Sequence, residues 1–181
     1  TALELPLALG QAVGFQGLGD LPGGAFHSEV FGIAGDGSTV LGWSNSEASS
    51  PGWNQAFKWS NGTMIALPDL PGGLVRSAAG TASYDGALIV GDAANADGSQ
   101  AVLWRPDGQV VLLGALTQSN PMGTARGISD DGQIIVGSCT SASGWEAFRW
   151  TQTGGLIGMG DLAGGSYNSA AQTVTNDGMV I

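Results

Sequence analysis

Positive charge is what this 181-residue chain has least of: five Lys and Arg stand against fifteen Asp and Glu, a formal charge of −10. A surface of that sign gains nothing from counterion release at phosphate, so nucleic acid is excluded as a partner, and anionic membrane surfaces are disfavoured for the same reason. Charged residues of either sign make up only 11% of the chain. Long solvent-exposed helices carry Lys, Glu and Arg on their outer faces, so this scarcity argues for an all-β chain. Cys139 is the single cysteine, which excludes an intrachain disulfide. His27 is the single histidine, so a hydrolase of the Ser-His-acid type would have to use it. No apolar run approaches the ~18 residues of a membrane span. There is also no Gly-x-Ser-x-Gly nucleophile elbow and no Asp-x-Asp-x-Asp-Gly calcium loop, and the Pro22-Gly23-Gly24 and Pro71-Gly72-Gly73 steps lack the lysine of a P-loop.

Glycine is abundant, at 32 residues, and its placement is periodic. Asp36-Gly37, Asp85-Gly86, Asp131-Gly132 and Asp177-Gly178 follow one another at 49, 46 and 46 residues. Leu21, Leu70, Leu116 and Leu162 repeat the same three intervals, and Trp59, Trp104 and Trp150 recur at 45 and 46. Three markers with one period define a tandem repeat. Each unit reads as four short strands. The first enters the Asp-Gly turn, as in Arg126 to Ser129. The second leaves it, as in Thr39-Val40-Leu41-Gly42, Leu88-Ile89-Val90-Gly91 and Ile134-Ile135-Val136-Gly137. The third ends at the periodic tryptophan, and the fourth follows a second glycine turn, as in Thr63 to Leu67. Asp-Gly between apolar runs predicts a type I′ hairpin with positive φ at both central residues. Four antiparallel strands in some 46 residues correspond to one propeller blade.

The fold expected is therefore an all-β propeller of about four four-stranded blades forming a single repeat domain over 1–181. Its units run approximately over 22–70, 71–116 and 117–162, with 163–181 completed by 1–21. In that scheme Leu7-Ala8-Leu9 stands where Phe148-Arg149-Trp150 stands in the third unit. The N-terminus then supplies the third and fourth strands of a shared blade, and Ser169 to Ile181 the first two. A ring closed this way has no open sheet edge. The structural alternative is a fragment of a larger ring, or two chains sharing one, so the expected state is monomer or dimer.

The third-strand sequences Gln55-Ala56-Phe57-Lys58-Trp59, Gln100-Ala101-Val102-Leu103-Trp104 and Glu146-Ala147-Phe148-Arg149-Trp150, with Leu18-Gly19-Asp20-Leu21-Pro22-Gly23-Gly24 and its copy from Met159 to Gly165, carry a resemblance. They resemble the HAF-type extracellular repeat, whose His-Ala-Phe step precedes a Leu-Trp pair. Gln55, Gln100 and Glu146 stand where that family has histidine. The resemblance implies a bacterial, secreted tandem β-repeat protein, extracellular or at the cell surface. It implies no shared activity.

Three groups of residues are site candidates. Trp43, Trp53 and Trp145 fall outside the periodic set, two of them in variable loops, and an exposed indole offers a flat apolar face to a sugar ring or a protein. Asp20, Asp69 and Asp161 share one repeat position, where the third copy has Ala115; they read either as backbone caps of a turn or as an alternative set of calcium ligands. His27, Ser28 and Glu29 are the alternative catalytic group. The function expected is a non-enzymatic binding or structural module, without cofactor, for a glycan or protein at a propeller rim. The alternative is a hydrolase, esterase-like through His27 or glycosidase-like through paired carboxylates.

Overall fold

A computed structural model describes residues 14–181. The described residues form three four-stranded antiparallel sheets and no helix. The first is β1 (Ser28–Ile33), β2 (Thr39–Ser44), β3 (Gln55–Ser60) and β4 (Thr63–Ala66). The second is β5 (Ser77–Ala82), β6 (Ile89–Asn95), β7 (Gly98–Trp104) and β8 (Val110–Leu112). The third is β9 (Gly123–Ile128), β10 (Ile134–Thr140), β11 (Trp145–Thr151) and β12 (Gly155–Gly158). Each is a simple meander in chain order. The Asp-Gly and β3–β4-type turns therefore lie at one end of every sheet. The longer second-to-third-strand loops and the sheet-to-sheet connections lie at the other.

The core sits between sheets. Neighbouring residues of a strand point to opposite faces, so Ile89 and Val90 serve different neighbours. Ile89 packs with Val102 and Trp104 against Leu41 and Ala56 of the first sheet and Leu70 of the connection that follows it. Val90 packs with Leu103 and Leu113 against Ile135, Phe148 and Trp150 of the third. Trp104 is almost wholly buried, and its indole N–H donates to the Pro68 carbonyl of the preceding sheet at 2.7 Å. The periodic tryptophan is thus the anchor of one sheet in the face of the last.

The first strands line a common axis, β1 beside β5 and β5 beside β9. A row of backbone bonds links the turns around it: Asp36 N–H to Tyr84 O (2.9 Å), Tyr84 N–H to Asp130 O (3.2 Å) and Asp130 N–H to Asn176 O (3.0 Å). The last of these reaches a fourth unit. There, Gly178 N–H to Thr175 O and Thr175 N–H to Val180 O, both 2.8 Å, close the fourth Asp-Gly turn. Ala171 and Val174 pack on Val136 and Ala147 of the third sheet. The segment from Ser169 is not a strand. The third strand expected at Leu7-Ala8-Leu9 lies outside the described residues, and residues 14–27 contain no strand. Leu162 is 89% exposed where its repeat mates Leu21 and Leu70 are 4% and 9%, and Val30 is half exposed where Ala79 and Ala125 are buried.

The Asp-Gly hairpins differ from expectation in turn type. Positive φ occurs at Gly37, Gly86, Gly132 and Gly178 but not at the aspartates before them. Each aspartate stays right-handed, and its Oδ1 accepts the N–H two residues on, at 2.8 Å from Ser38 and 3.0 Å from Ala87, Gln133 and Met179. That bond selects an Asx turn with glycine in the left-handed place. Positive φ at both central residues is found at Asn61-Gly62.

Candidate functional site at the loop end of the sheets

A β-bulge interrupts the pairing of the first two strands at the same place in every sheet. Pairing steps from Val30 to Gly32, from Ala79 to Thr81, and from Gly127 to Ala125. The residues left out are Phe31, Gly80 and Arg126. The reason is the glycine opposite: a Cβ on Gly42, Gly91 or Gly137 would run into the carbonyl oxygen of Glu29, Ala78 or Thr124. Only glycine permits that close approach, and the strand bends there. The bulge re-aims its extra residue toward the axis. Phe31, Gly80 and Arg126, with Gln172 at the same repeat position in the fourth unit, line a cavity of about 510 Å³. The residues that build the bulge recur, and the residue that the bulge presents differs in every unit.

Asp92 faces this cavity. It occupies the repeat position held by Trp43 and Ser138 in the other sheets, so the scaffold does not require an acid there. Ser99 Oγ donates to Asp92 Oδ2 at 2.6 Å, and Thr124 Oγ1 of the third sheet lies 3.5 Å from Oδ1. Desolvation raises the Asp92 pKa above the usual carboxylate value. Those two hydroxyls and the positive charges of Arg76 and Arg126 offset part of the rise. Trp145, 38% exposed at the start of β11, forms another part of the wall. The cavity thus offers one cation, one carboxyl held by two hydroxyls, an amide and aromatic surface.

Of the three tryptophans singled out in the sequence, Trp145 belongs to this axial cavity. Trp43 and Trp53 line a second one, about 490 Å³, together with His27. The His27 ring meets Trp43 edge-on, centroids 4.9 Å apart and planes at 64°. His27, Ser28 and Glu29 do not form a triad. Ser28 and Glu29 are successive strand residues on opposite faces, and Ser28 Oγ donates to Gly19 O at 2.9 Å. Its repeat mates show why serine recurs: Ser77 and Ser169 accept the N–H of Ala56 and Ala147 at 2.9 and 3.0 Å, stitching one sheet to the next.

Asp20 and Asp161 each bridge their own connection. Asp20 accepts the N–H of Leu21 at 3.1 Å and of His27 at 2.8 Å, and also the Ser44 hydroxyl. Asp161 accepts those of Leu162 and Asn168, both at 2.8 Å. Asp69 is held by Gln55 Nε2 at 3.1 Å, while its buried Oδ1 has no hydrogen-bond partner; desolvation raises its pKa. The three sit in three different connections, and among the described residues no three His, Cys, Asp or Glu side chains gather as a metal group. Gln55, Gln100 and Glu146, at the histidine position of the HAF pattern, are tied locally to Asp69, Asn95 and the Gly160 N–H. Cys139 is buried, and desolvation pushes its thiol pKa up. No helix among the described residues is long and apolar enough to cross a membrane. Sequence reasoning missed Arg126 and Asp92. The signals were present: a polar residue breaking the repeat at Asp92, and the glycines Gly42, Gly91 and Gly137 that mark a bulge.

Four-stranded meanders repeated face to face about an axis, with varied residues turned inward, define a propeller-type fold. Two solved structures share it. A protein of Agrobacterium tumefaciens assigned to TolB superposes with a TM-score of 0.59 at 17% identity over 84% of this chain. TolB of Acinetobacter baumannii gives 0.54 at 19% identity over 82%. The chain spans 56% of the first and 35% of the second. At such identities the likeness is one of fold. No family model and no curated protein matches the chain.

Proposed function

We propose that this chain is a non-enzymatic binding module that works outside the cytoplasm and receives a protein partner at the mouth of the axial cavity. The observation that carries the reading is the bulge: a repeated device presents Phe31, Gly80 and Arg126 to one space of about 510 Å³, which Gln172, at the same repeat position, also lines. A scaffold residue repeats with the scaffold, whereas these four share a position and no chemistry. An arginine beside aromatic surface, with a shielded carboxyl behind it, is the composition of a protein-binding hot spot. The HAF-type resemblance supports the extracytoplasmic compartment, and the engagement of Ser28 Oγ with Gly19 supports a module without a nucleophile at His27.

The test is capture of partners from a bacterial envelope fraction by the wild-type chain and by Arg126→Glu and Trp145→Ala. The captured protein is then purified and titrated calorimetrically. A partner whose Kd rises by about tenfold or more in both variants, at least 1.4 kcal/mol, supports the reading. A partner held equally well by both variants overturns the axial site. Ester turnover that disappears in His27→Ala overturns the non-enzymatic assignment.

A further inference from the structure

The second cavity is built differently. Its floor is the β2–β3 loop of the first sheet, which is fixed by its own bonds: Trp53 N–H to Ser50 O at 2.9 Å, and Ser49 Oγ to Ser46 O at 2.8 Å. Ser50 N–H donates across to Val75 O at 3.2 Å, tying the loop to the next connection. The Arg76 guanidinium lies 4.4 Å from the ring centroid of Trp53, holding the indole, which is still 40% exposed. Trp43 rises from β2 with His27 against it. In a chain of charge −10, this lining contains no Asp, Glu, Lys or Arg.

Two further facts separate the cavity from the scaffold. The repeat mates of Trp43 are Asp92 and Ser138, and those of Trp53, counted from the third strand, are Gly98 and Gly144. Two sheets therefore fold without an indole at either place. The polar groups are also unspent. Among the described residues the Asn45 amide, the Ser50 hydroxyl and the indole N–H groups of Trp43 and Trp53 make no protein hydrogen bond, while the Trp104 indole does.

We propose that this cavity binds a neutral saccharide. A sugar ring shows an apolar C–H face, suited to an indole, and a rim of hydroxyls that donate and accept, suited to amide and hydroxyl partners. The absence of charge from the lining disfavours phosphates and uronates, which require Arg or Lys, and metal ions, which require carboxylates. The volume of about 490 Å³ lies within the range of small-ligand sites. This site is separate from the axial cavity, and either stands if the other fails.

The experiment is calorimetric and tryptophan-fluorescence titration of the full chain with cellotetraose, maltotetraose, mannotetraose and chitotetraose, alongside anionic trigalacturonate. Saturable binding of at least one neutral probe below about 10 mM is expected, weakened about tenfold or more in Trp53→Ala and in Asn45→Ala and unchanged in Trp145→Ala. Asn45→Ala removes only a side-chain amide without a protein partner, so it reports on binding even where Trp53→Ala disturbs the loop. Silence from all four neutral probes overturns the proposal. So does binding that survives both variants, or trigalacturonate binding as tightly as the best neutral sugar.

Discussion

Two populations of aspartate respond oppositely to pH. Burial raises the pKa of Asp92, so the folded chain holds that proton to higher pH than the unfolded chain does. Its contribution to stability therefore falls as pH rises from about 3.9 through the folded value. Asp92→Asn keeps an acceptor for Ser99 and removes the buried charge. It is expected to raise Tm at pH 7 by a margin that shrinks to nothing below about pH 4, read by calorimetry across that range. The turn aspartates behave in the reverse sense. Hydrogen bonds from Ser129 Oγ and Gln133 N–H lower the pKa of Asp131, the equivalent bonds lower Asp85 and Asp177, and Ser38 through its hydroxyl and N–H lowers Asp36. Their contribution is present above the unfolded value of about 3.9 and is lost as pH falls through the lower folded values. Asp131→Ala should lower Tm at pH 7 by about 2–4 °C, and by less in acid. These aspartates were legible as turn residues from Asp-Gly alone. The turn type was not, because the carboxylate's bond to the backbone two residues on outweighs the hairpin's preference for left-handed geometry.

Within each sheet the bulge makes a sharp distinction between glycines. A Cβ at Gly91 would meet the Ala78 carbonyl inside the ladder, whereas one at Gly80 would lie 3.6 Å from Val90 O and 3.7 Å from Ala125 O, ordinary contact distances. Gly91→Ala is expected to cost about 1–3 kcal/mol in urea unfolding. Gly80→Ala should stay within about 0.5 kcal/mol of wild type. Equal costs would mean that the bulge does not set the approach of the two strands. Strand positions were largely readable from the sequence: Thr39–Gly42 became β2 with two more residues, and Thr63 to Leu67 became β4 one residue shorter. The one-residue slip at Phe31, Gly80 and Arg126 was not. Alternation of apolar residues carries no mark for an extra residue, and only the glycine on the opposite strand betrays it.

At the scale of the whole molecule, repetition announced an all-β tandem architecture, and three four-stranded antiparallel sheets bear out that part of it. Leu70 is buried between sheets while Leu162 is exposed. Leu70→Ala should destabilise by about 2–5 kcal/mol, and Leu162→Ala by no more than about 0.5 kcal/mol, in parallel denaturant titrations. Comparable losses at both would show that Leu162 is covered in solution, as the repeat pattern anticipates for a completed fourth unit. Periodicity identifies which residues are equivalent, but the cover on a terminal face depends on contacts that no period encodes. The candidate site follows the same division. Trp145, Trp43 and Trp53 stood out because they break the period, and their sorting into two separate cavities emerged only from the packing of neighbouring sheets.

A residue outside the ladder owes nothing to strand pairing. Positions 31, 80 and 126 can therefore change chemistry without a change in register, which Gly42, Gly91 and Gly137 hold. Under the proposed function, recognition and folding are written at different addresses of the same repeat. A combinatorial library confined to those three addresses should yield folded variants at high frequency, and under the proposed function each with its own partner.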